Sequence, residues 1–336
     1  MSKGKLRKSI FKGIGLLMLF VVIVIGGLIT YVKVALPKVG EPPVLNVPRS
    51  PDRVAQGAYL ANAVAACMDC HSTRDWTKFA APLVDGTLGK GGERFDQQFG
   101  FPGVYYSRNI TPKGISRYTD GELFRLITTG VTKEGRAMFP VMPYSHYGKM
   151  DTSDIISIIA YVRSLDPIDN LVPESVSDFP MNIIINTIPQ KAVPGRRPDT
   201  SIHELYGAYL VNACACIECH TKDNHGQIIP ELAFMGGREF ILPGGNVVRS
   251  ANITPDLETG IGNWSEDAFI NRFKSYTDSN YKPQTIDKNA FNTIMPWTRY
   301  GLMTRSDLAA IYAYLRTLPA KHNEVSKFSA AKLVAK

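Results

Sequence analysis

The sequence predicts a mainly α-helical chain: one N-terminal transmembrane helix followed by two tandem helical domains of the same design. Three observations predict it. Nineteen residues from Ile14 to Val32 carry no charge. A series of short motifs in the first half recurs in the same order in the second. Each half also contains one Cys-x-x-Cys-His sequence, Cys67-Met68-Asp69-Cys70-His71 and Cys216-Ile217-Glu218-Cys219-His220.

The N-terminal residues 1–13 carry Lys3, Lys5, Arg7, Lys8 and Lys12 and no acid. Basic residues before an apolar span favour a cytoplasmic N-terminus, with the rest of the chain on the far side. Residues 14–34 are long enough to cross a hydrocarbon core as a helix. A cleaved signal peptide is the competing reading. Such a peptide has a shorter apolar core and an A-x-A-like cleavage site, whereas this span exits through Val32-Lys33-Val34-Ala35-Leu36-Pro37. Residues 35–51, with prolines at 37, 42, 43, 48 and 51, read as a stiff extended stalk.

The net charge of +8 invites a nucleic-acid partner, but seven of the 38 basic residues lie in the first 38 positions. That leaves 31 against 30 acidic residues in the body, so no basic footprint for DNA or RNA remains.

The repeat sets the domain plan. Gly57-Ala58-Tyr59-Leu60-Ala61-Asn62-Ala63 returns as Gly207-Ala208-Tyr209-Leu210-Val211-Asn212-Ala213 ahead of the two cysteine motifs. Gly91-Gly92 pairs with Gly236-Gly237, Asn109-Ile110-Thr111-Pro112 with Asn252-Ile253-Thr254-Pro255, and Met142-Pro143-Tyr144 with Met295-Pro296-Trp297. From there the halves align without a gap, through Asp154 and Asp307 to Arg163 and Arg316. Two copies of so long a period mean tandem domains rather than a solenoid: 52–166 and 201–320, joined by a linker 167–200 and followed by a flexible tail 321–336. The apolar stretch Met181–Ile188 within the linker is too short to span a bilayer and is expected to pack on one or both domains, with membrane or partner contact as the alternative.

Within each domain the first helix runs into the cysteine motif, opened in the first half by Ser50-Pro51. The last helix starts at Asp151 with Asp154 three residues on, and at Thr304 with Asp307, both capping-box-like. Thr119–Thr129 and Ser265–Lys274 are the other helical segments. Gly57 and Gly207 would let Tyr161 and Tyr314 approach where first and last helices cross.

Two cysteines two residues apart with a histidine after the second form the attachment signature of c-type haem. Within one turn the sulfurs can bond two carbons of a single porphyrin, and the histidine becomes an axial iron ligand. Structural zinc needs four ligands in other spacings. The expected cofactors are therefore two covalently attached haem c, held by Cys67 and Cys70 and by Cys216 and Cys219, with His71 and His220 on iron. Cys214 is left over and reads as a buried free thiol.

An electron carrier needs its sixth iron position filled, and methionine there favours the reduced iron. Met138 aligns with Phe291 and His146 with Arg299, so neither role could be shared by both domains. Met142 and Met295 align, and so do Met150 and Met303. The loop fixed by Pro143 favours Met142 and Met295 as axial ligands. Met150 and Met303 precede a helix cap, where packing is the ordinary role, and they remain the alternative. Asn109 and Asn252 open turns that either face a haem propionate or are plain turns. Tyr118 and Trp264 are either haem walls or core aromatics.

Each half resembles a class I cytochrome c domain, with its haem-bearing first helix, methionine loop and closing helix. The GAYL…CxxCH starts, the NITP turns, Gly260-Ile261-Gly262-Asn263-Trp264-Ser265 and the MPY or MPW loops resemble the multihaem cytochrome subunits of membrane-bound alcohol and gluconate dehydrogenases. The resemblance covers about residues 52–320. It implies His71 and Met142 on one iron and His220 and Met295 on the other. It also implies a place in the bacterial inner membrane with the haem domains periplasmic. The implied partners are a dehydrogenase subunit, a quinol-oxidising complex or a terminal oxidase. Those subunits typically carry three haems, where this chain has two motifs. The function expected is single-electron transfer between respiratory partners rather than catalysis. The rivals are a haem enzyme of dihaem peroxidase or thiosulfate-oxidising type, which needs an open or displaceable axial ligand, and a haem-based sensor.

Overall fold

The computed structural model of the chain describes residues 3–224 and 226–331. Met1 and Ser2 of the basic segment and residues 332–336 of the expected tail lie outside the described residues.

The uncharged stretch forms the middle of α1 (Lys3–Ala35), which is long and apolar enough to cross a membrane by length and composition. The proline-rich segment after it is not the free stalk that its composition predicts. Val39 and Val47 are buried, and the Val47 N–H donates to Asp120 at 3.0 Å. Gly121 lies so close to the Pro43 carbonyl that a Cβ there would come within 1.7 Å of the oxygen. Proline stiffens an extended chain, and here that chain lies along the first helical half.

In that half α2 (Pro51–Tyr59) starts with proline in its first turn and packs against α4 (Thr152–Val162). Between them lies α3 (Asp120–Thr129), whose N-terminus carries the full Thr119–Glu122 capping box and whose end is Gly130 at φ 72°. In the second half α5 (His203–Ala213) packs against α7 (Arg305–Thr317), with α6 (Glu266–Lys274) capped by Ser265. Both helix crossings depend on the repeated glycine. A Cβ on Gly57 would lie 1.8 Å from the Ser157 carbonyl oxygen, and one on Gly207 would lie 1.9 Å from that of Ala310. Tyr161 and Tyr314 are the next neighbours, as the repeat predicts.

The halves differ by one residue between this glycine and the cysteine motif. The first half absorbs the extra residue as a π-helical turn over Leu60–Val64, closed by Ala65 N–H to Leu60 O at 2.7 Å. The second half makes the ordinary α bond, Cys214 N–H to Leu210 O at 2.8 Å. Both segments then turn through a left-handed alanine, Ala66 at φ 46° and Ala215 at φ 50°.

A small antiparallel sheet completes each half. Arg94–Phe95, Gly103–Tyr106 and Val176–Ser177 pair in that order, as do Glu239–Ile241, Val247–Arg249 and Phe328–Ser329. The third strands fall within the expected linker and the expected flexible tail. Residues 321–331 are therefore tied down: Asn252 Nδ2 donates to Lys321 O at 2.8 Å, and Ala331 N–H to Asn246 Oδ1 at 2.9 Å.

One hydrophobic cluster runs through both halves, from Leu60, Val64, Ile155 and Ile159 to Tyr209, Leu210, Leu308 and Ile311. Replacing Gly207 by alanine drives a methyl into the Ala310 carbonyl, and such overpacking costs about 1–3 kcal/mol. A urea titration of Gly207→Ala is expected to show a loss of that size or more, and an unchanged midpoint would contradict the crossing described here.

Candidate functional site

Cys67–Cys70 form a single helical turn with His71 as its C-terminal cap, and Cys216–His220 form its twin. All four motif cysteines are free thiols. Desolvation pushes the thiols of Cys67 and Cys70 up to about 12 and that of Cys219, which still reaches solvent, up to about 11.

The histidines are oriented alike. His71 Nδ1 lies 2.7 Å from the Arg108 carbonyl oxygen, and His220 Nδ1 lies 2.7 Å from that of Ala251. A carbonyl only accepts, so each Nδ1 carries the proton and leaves Nε2 unprotonated as a ligand atom. The sequence builds this bond from two of its repeats. The accepting carbonyl immediately precedes the Asn-Ile-Thr-Pro turn. Gly91 and Gly236 lie against it, each N–H bonding back to the histidine's own carbonyl at 2.8 and 2.7 Å. Both glycines have φ near +71°. A Cβ on either would lie 2.4–2.5 Å from the carbonyl carbon and oxygen of Arg108 or Ala251. Only glycine has both that backbone conformation and that clearance.

The turn asparagines serve this frame. Asn109 Oδ1 accepts from Thr111 N–H at 3.0 Å and Oγ1 at 2.7 Å, while its Nδ2 donates to Ile168 O at 2.8 Å. Asn252 makes the same bonds to Thr254 and to Lys321. Their amides are consumed internally, so the plain-turn reading holds. Two residues that the sequence reading missed complete the frame. Asn170 Nδ2 donates to Lys90 O at 2.9 Å, and Asn323 Nδ2 to Met235 O at 2.8 Å. Each pins the carbonyl just before the glycine. The gapless alignment of the closing helices, continued seven residues further, pairs Asn170 with Asn323.

The methionine loops also match. Pro143 and Pro296 sit at the centre of inverse γ-turns, closed by Tyr144 N–H to Met142 O and Trp297 N–H to Met295 O, both 2.8 Å. Met142 and Met295 are half-buried, whereas Met150 and Met303 are fully buried in the core. Met68 is fully buried too. Tyr118 lies half-buried under Arg117, and Trp264 is 38 % exposed. Cys214 occupies the place of Ala65: the two carbonyls accept from Tyr300 and Tyr147 hydroxyls at 3.0 Å each. The adjoining Cys216 sulfur and burial raise its thiol pKa.

Sequence reading also missed how each site borrows from the other half. The turn after Met142 (Tyr144–Tyr147) packs on α5, and the turn after Met295 (Trp297–Tyr300) packs on Leu60–Val64. His146 engages both ring nitrogens there, Nδ1 with Asn212 Oδ1 at 3.0 Å and Nε2 with Glu218 Oε1 at 2.7 Å. Both ring nitrogens are thus engaged, and neither is free for iron. His146 holds Glu218, between Cys216 and Cys219, below the usual carboxylate range despite burial. Asp69 is the equivalent residue of the first motif. Burial raises its carboxyl pKa, opposed by Arg74 at 3.0 Å and by Arg299 of the other half. Arg74 also pairs with Glu93 at 2.7 Å and stacks on Trp76 at 4.4 Å.

The capping-box prediction for the last helices needs correction. Thr304 and Asp151 do cap, accepting from Asp307 N–H at 3.0 Å and Ser153 N–H at 2.8 Å. The reciprocal carboxylate arm does not return to the cap. Instead a tyrosine hydroxyl from the other half stands between. Tyr59 accepts from Thr304 N–H at 3.1 Å and donates to Asp307. Tyr209 accepts from Asp151 N–H at 3.1 Å and donates to Asp154 at 2.6 Å. The contacts are reciprocal, as across a two-fold interface.

The residues present fit covalently bound haem c: free cysteine pairs, histidines with Nε2 unprotonated, and glycines clearing the carbonyl that orients each ring. Residues 205–319 match the protein family described as Cytochrome c. The chain is 28 % identical over 283 residues to the fructose dehydrogenase cytochrome subunit of Gluconobacter japonicus, covering 80 % of this chain and 53 % of that one. It is 27 % identical over 285 residues to the alcohol dehydrogenase (quinone) cytochrome c subunit of Gluconobacter oxydans, covering 80 % and 55 %. It is 26 % identical over 264 residues to a protein named diheme cytochrome c-type from Cereibacter sphaeroides, covering 76 % and 82 %. The chain thus spans about half the length of the first two relatives.

Tyr209→Phe leaves one oxygen of buried Asp154 and the Asp151 N–H without a partner while Arg197 keeps the other oxygen, a loss of about 1–3 kcal/mol expected in urea unfolding. Burial raises the Asp154 pKa against the opposing pull of Tyr209 and Arg197. The native state therefore holds that proton more tightly than the unfolded chain. Stability should fall as pH rises from the ordinary Asp value near about 4 toward the raised one. Asp154→Asn should flatten the slope in that window, and an unchanged slope would count against this assignment.

Proposed function

From the premise that residues 205–319 are a cytochrome c domain, and so imply covalently bound haem c, we propose that the chain is a membrane-anchored dihaem cytochrome. In this reading both halves are class I cytochrome c units, 52–166 and 201–320 with their closing strands. The chain passes single electrons between respiratory partners. The observation that carries the reading is the duplicated histidine frame: the same 2.7 Å bond from Nδ1 to a carbonyl, the same glycine beside it and the same methionine turn in each half.

Bound haem supplies reversible one-electron chemistry at its iron. The chain's own residues do the rest. Cys67, Cys70, Cys216 and Cys219 hold the groups through thioethers. His71 and His220 give Nε2 to iron, and the bond at Nδ1 fixes the ring and raises its basicity. Met142 and Met295 would give iron a soft sulfur that favours the reduced state. His146 lies with both nitrogens committed across the interface, which removes it as a competing ligand.

Helix α1 supports a single-pass anchor, with residues 1–13 in the cytoplasm and the haem units in the periplasm, at a bacterial inner membrane. The relatives' names include cytochrome subunits of fructose and alcohol dehydrogenases, so the electron donor proposed here is a dehydrogenase subunit and the acceptor a quinone-linked complex or a terminal oxidase. The chain itself is a carrier, without a substrate reaction of its own.

Potentiometry of Met142→Ala and Met295→Ala tests the assignment. Each is expected to lower the potential of one haem by tenths of a volt, within the roughly 0.8 V span that axial ligands set, and to leave the other near its wild-type value. Unchanged potentials in both variants would move the ligand role to Met150 and Met303.

A further inference from the structure

Residues Phe179–Gln190, between Asp178 and Lys191, contain no charged side chain. Their composition predicts packing against the helical units, and Met181–Ile184 does touch Val176–Ser177 of the first-half sheet, but the anchor helix is the larger neighbour. Met181–Ile184 is one helical turn and Ile185–Thr187 a 3₁₀ turn, and both pack on α1. Asn186 Nδ2 donates to the Val32 carbonyl at 3.4 Å. From Arg7 to Ala35, only Ile29 and Val32 of α1 are half-buried; the rest of that length is exposed.

The segment is a strap tied to the first half at both ends. Before it, Val176–Ser177 pairs with Gly103–Val104, Asp178 N–H bonds Pro102 O at 3.0 Å, and Gln97 Nε2 donates to Asp178 at 2.7 Å. After it, Val193 and Gly195 N–H groups bond the carbonyls of Gly148 and Lys149, each at 3.0 Å. Between these ties two apolar side chains turn outward, Phe179 at 78 % and Ile184 at 44 % exposure, while Met181, Ile183, Ile185 and Ile188 are half-buried.

We propose that this strap is a second membrane contact, lying in the outer headgroup interface of a phospholipid bilayer beside α1 and fixing how the first haem unit sits over the membrane. The inference rests on the reading of α1 as an uncleaved anchor. Depth is the argument. Eighteen helical rises from Ile14 to Val32 span about 27 Å, close to the roughly 30 Å hydrocarbon thickness. A strap bonded at Val32 therefore lies where the apolar core ends. Short apolar elements bury their outward face in that boundary layer, and Tyr31, exposed on α1 at the same level, is of the residue type enriched there. The strap packs directly on α1, so lipid around the end of the anchor reaches its outward side chains.

Nitroxide depth measurement tests this on the full, haem-loaded, reduced chain in phosphatidylcholine–phosphatidylglycerol vesicles. Single cysteines are introduced by Leu19→Cys, Phe179→Cys, Ile184→Cys and Leu257→Cys in a Cys214→Ser background. Leu257 lies beside Asp256 and Glu258 and near His322, in charged, aqueous surroundings. Oxygen accessibility relative to a water-soluble nickel chelate is expected to be highest at Leu19 and several-fold higher at Phe179 and Ile184 than at Leu257. If Leu19 is immersed while Phe179 and Ile184 match Leu257, the anchor stands, the inference falls, and a partner protein becomes the occupant of that face. If Leu19 is aqueous as well, the anchor reading fails and takes the strap with it.

Discussion

Two tyrosine hydroxyls hold the halves of this chain in register. Each leaves the first helix of its own half and enters the N-terminus of the closing helix of the other, accepting from the cap N–H and donating to the carboxylate three residues on. A helix N-terminus has donors without intrahelical partners, and a capping box usually satisfies them within one chain segment. Here the second arm is borrowed. The closing helix capped through Tyr59 is the one that crosses at Gly207, and the one capped through Tyr209 crosses at Gly57. Tertiary crossing and inter-half docking therefore meet in one short motif, and neither half caps its last helix alone.

The cysteine motifs depend on that docking. With the halves locked, the turn after each methionine loop falls against the first helix of the other half, bringing His146 to Glu218 and Arg299 toward Asp69. A carboxylate withdrawn from water is costly unless paired, and Asp69 and Glu218 each meet a side chain of the other half. An electron carrier gains from this arrangement because little has to move: the ring bond, the glycine beside it and the methionine turn are already fixed.

Much of this is visible in the sequence, for identifiable reasons. The cysteine–histidine motifs, the paired methionine loops and the helix-crossing glycines are local patterns whose chemistry permits few other uses. The periods of α3, α4, α6 and α7 are equally local. What stayed hidden involves partners far apart in the chain. Nothing near Asp307 announces Tyr59, so the carboxylate reads as half of an ordinary capping box. The prolines of 35–51 specify an extended backbone but not whether it stands free, and buried Val39 and Val47 decide that. The polar residues after Pro319 read as frayed, although Asn323 and Phe328–Ser329 close the second sheet. The one-residue difference between the repeats was countable from sequence; that it becomes a π turn was not.

Carbon monoxide binding to the dithionite-reduced protein, followed by absorbance, tests the central claim most directly. If His71 and Met142 hold one iron and His220 and Met295 the other, both sixth positions are filled by the chain and the spectrum should not change. Rapid formation of a carbonyl complex at either haem would contradict the account, because it would mean an open or displaceable ligand and a haem enzyme in place of a carrier.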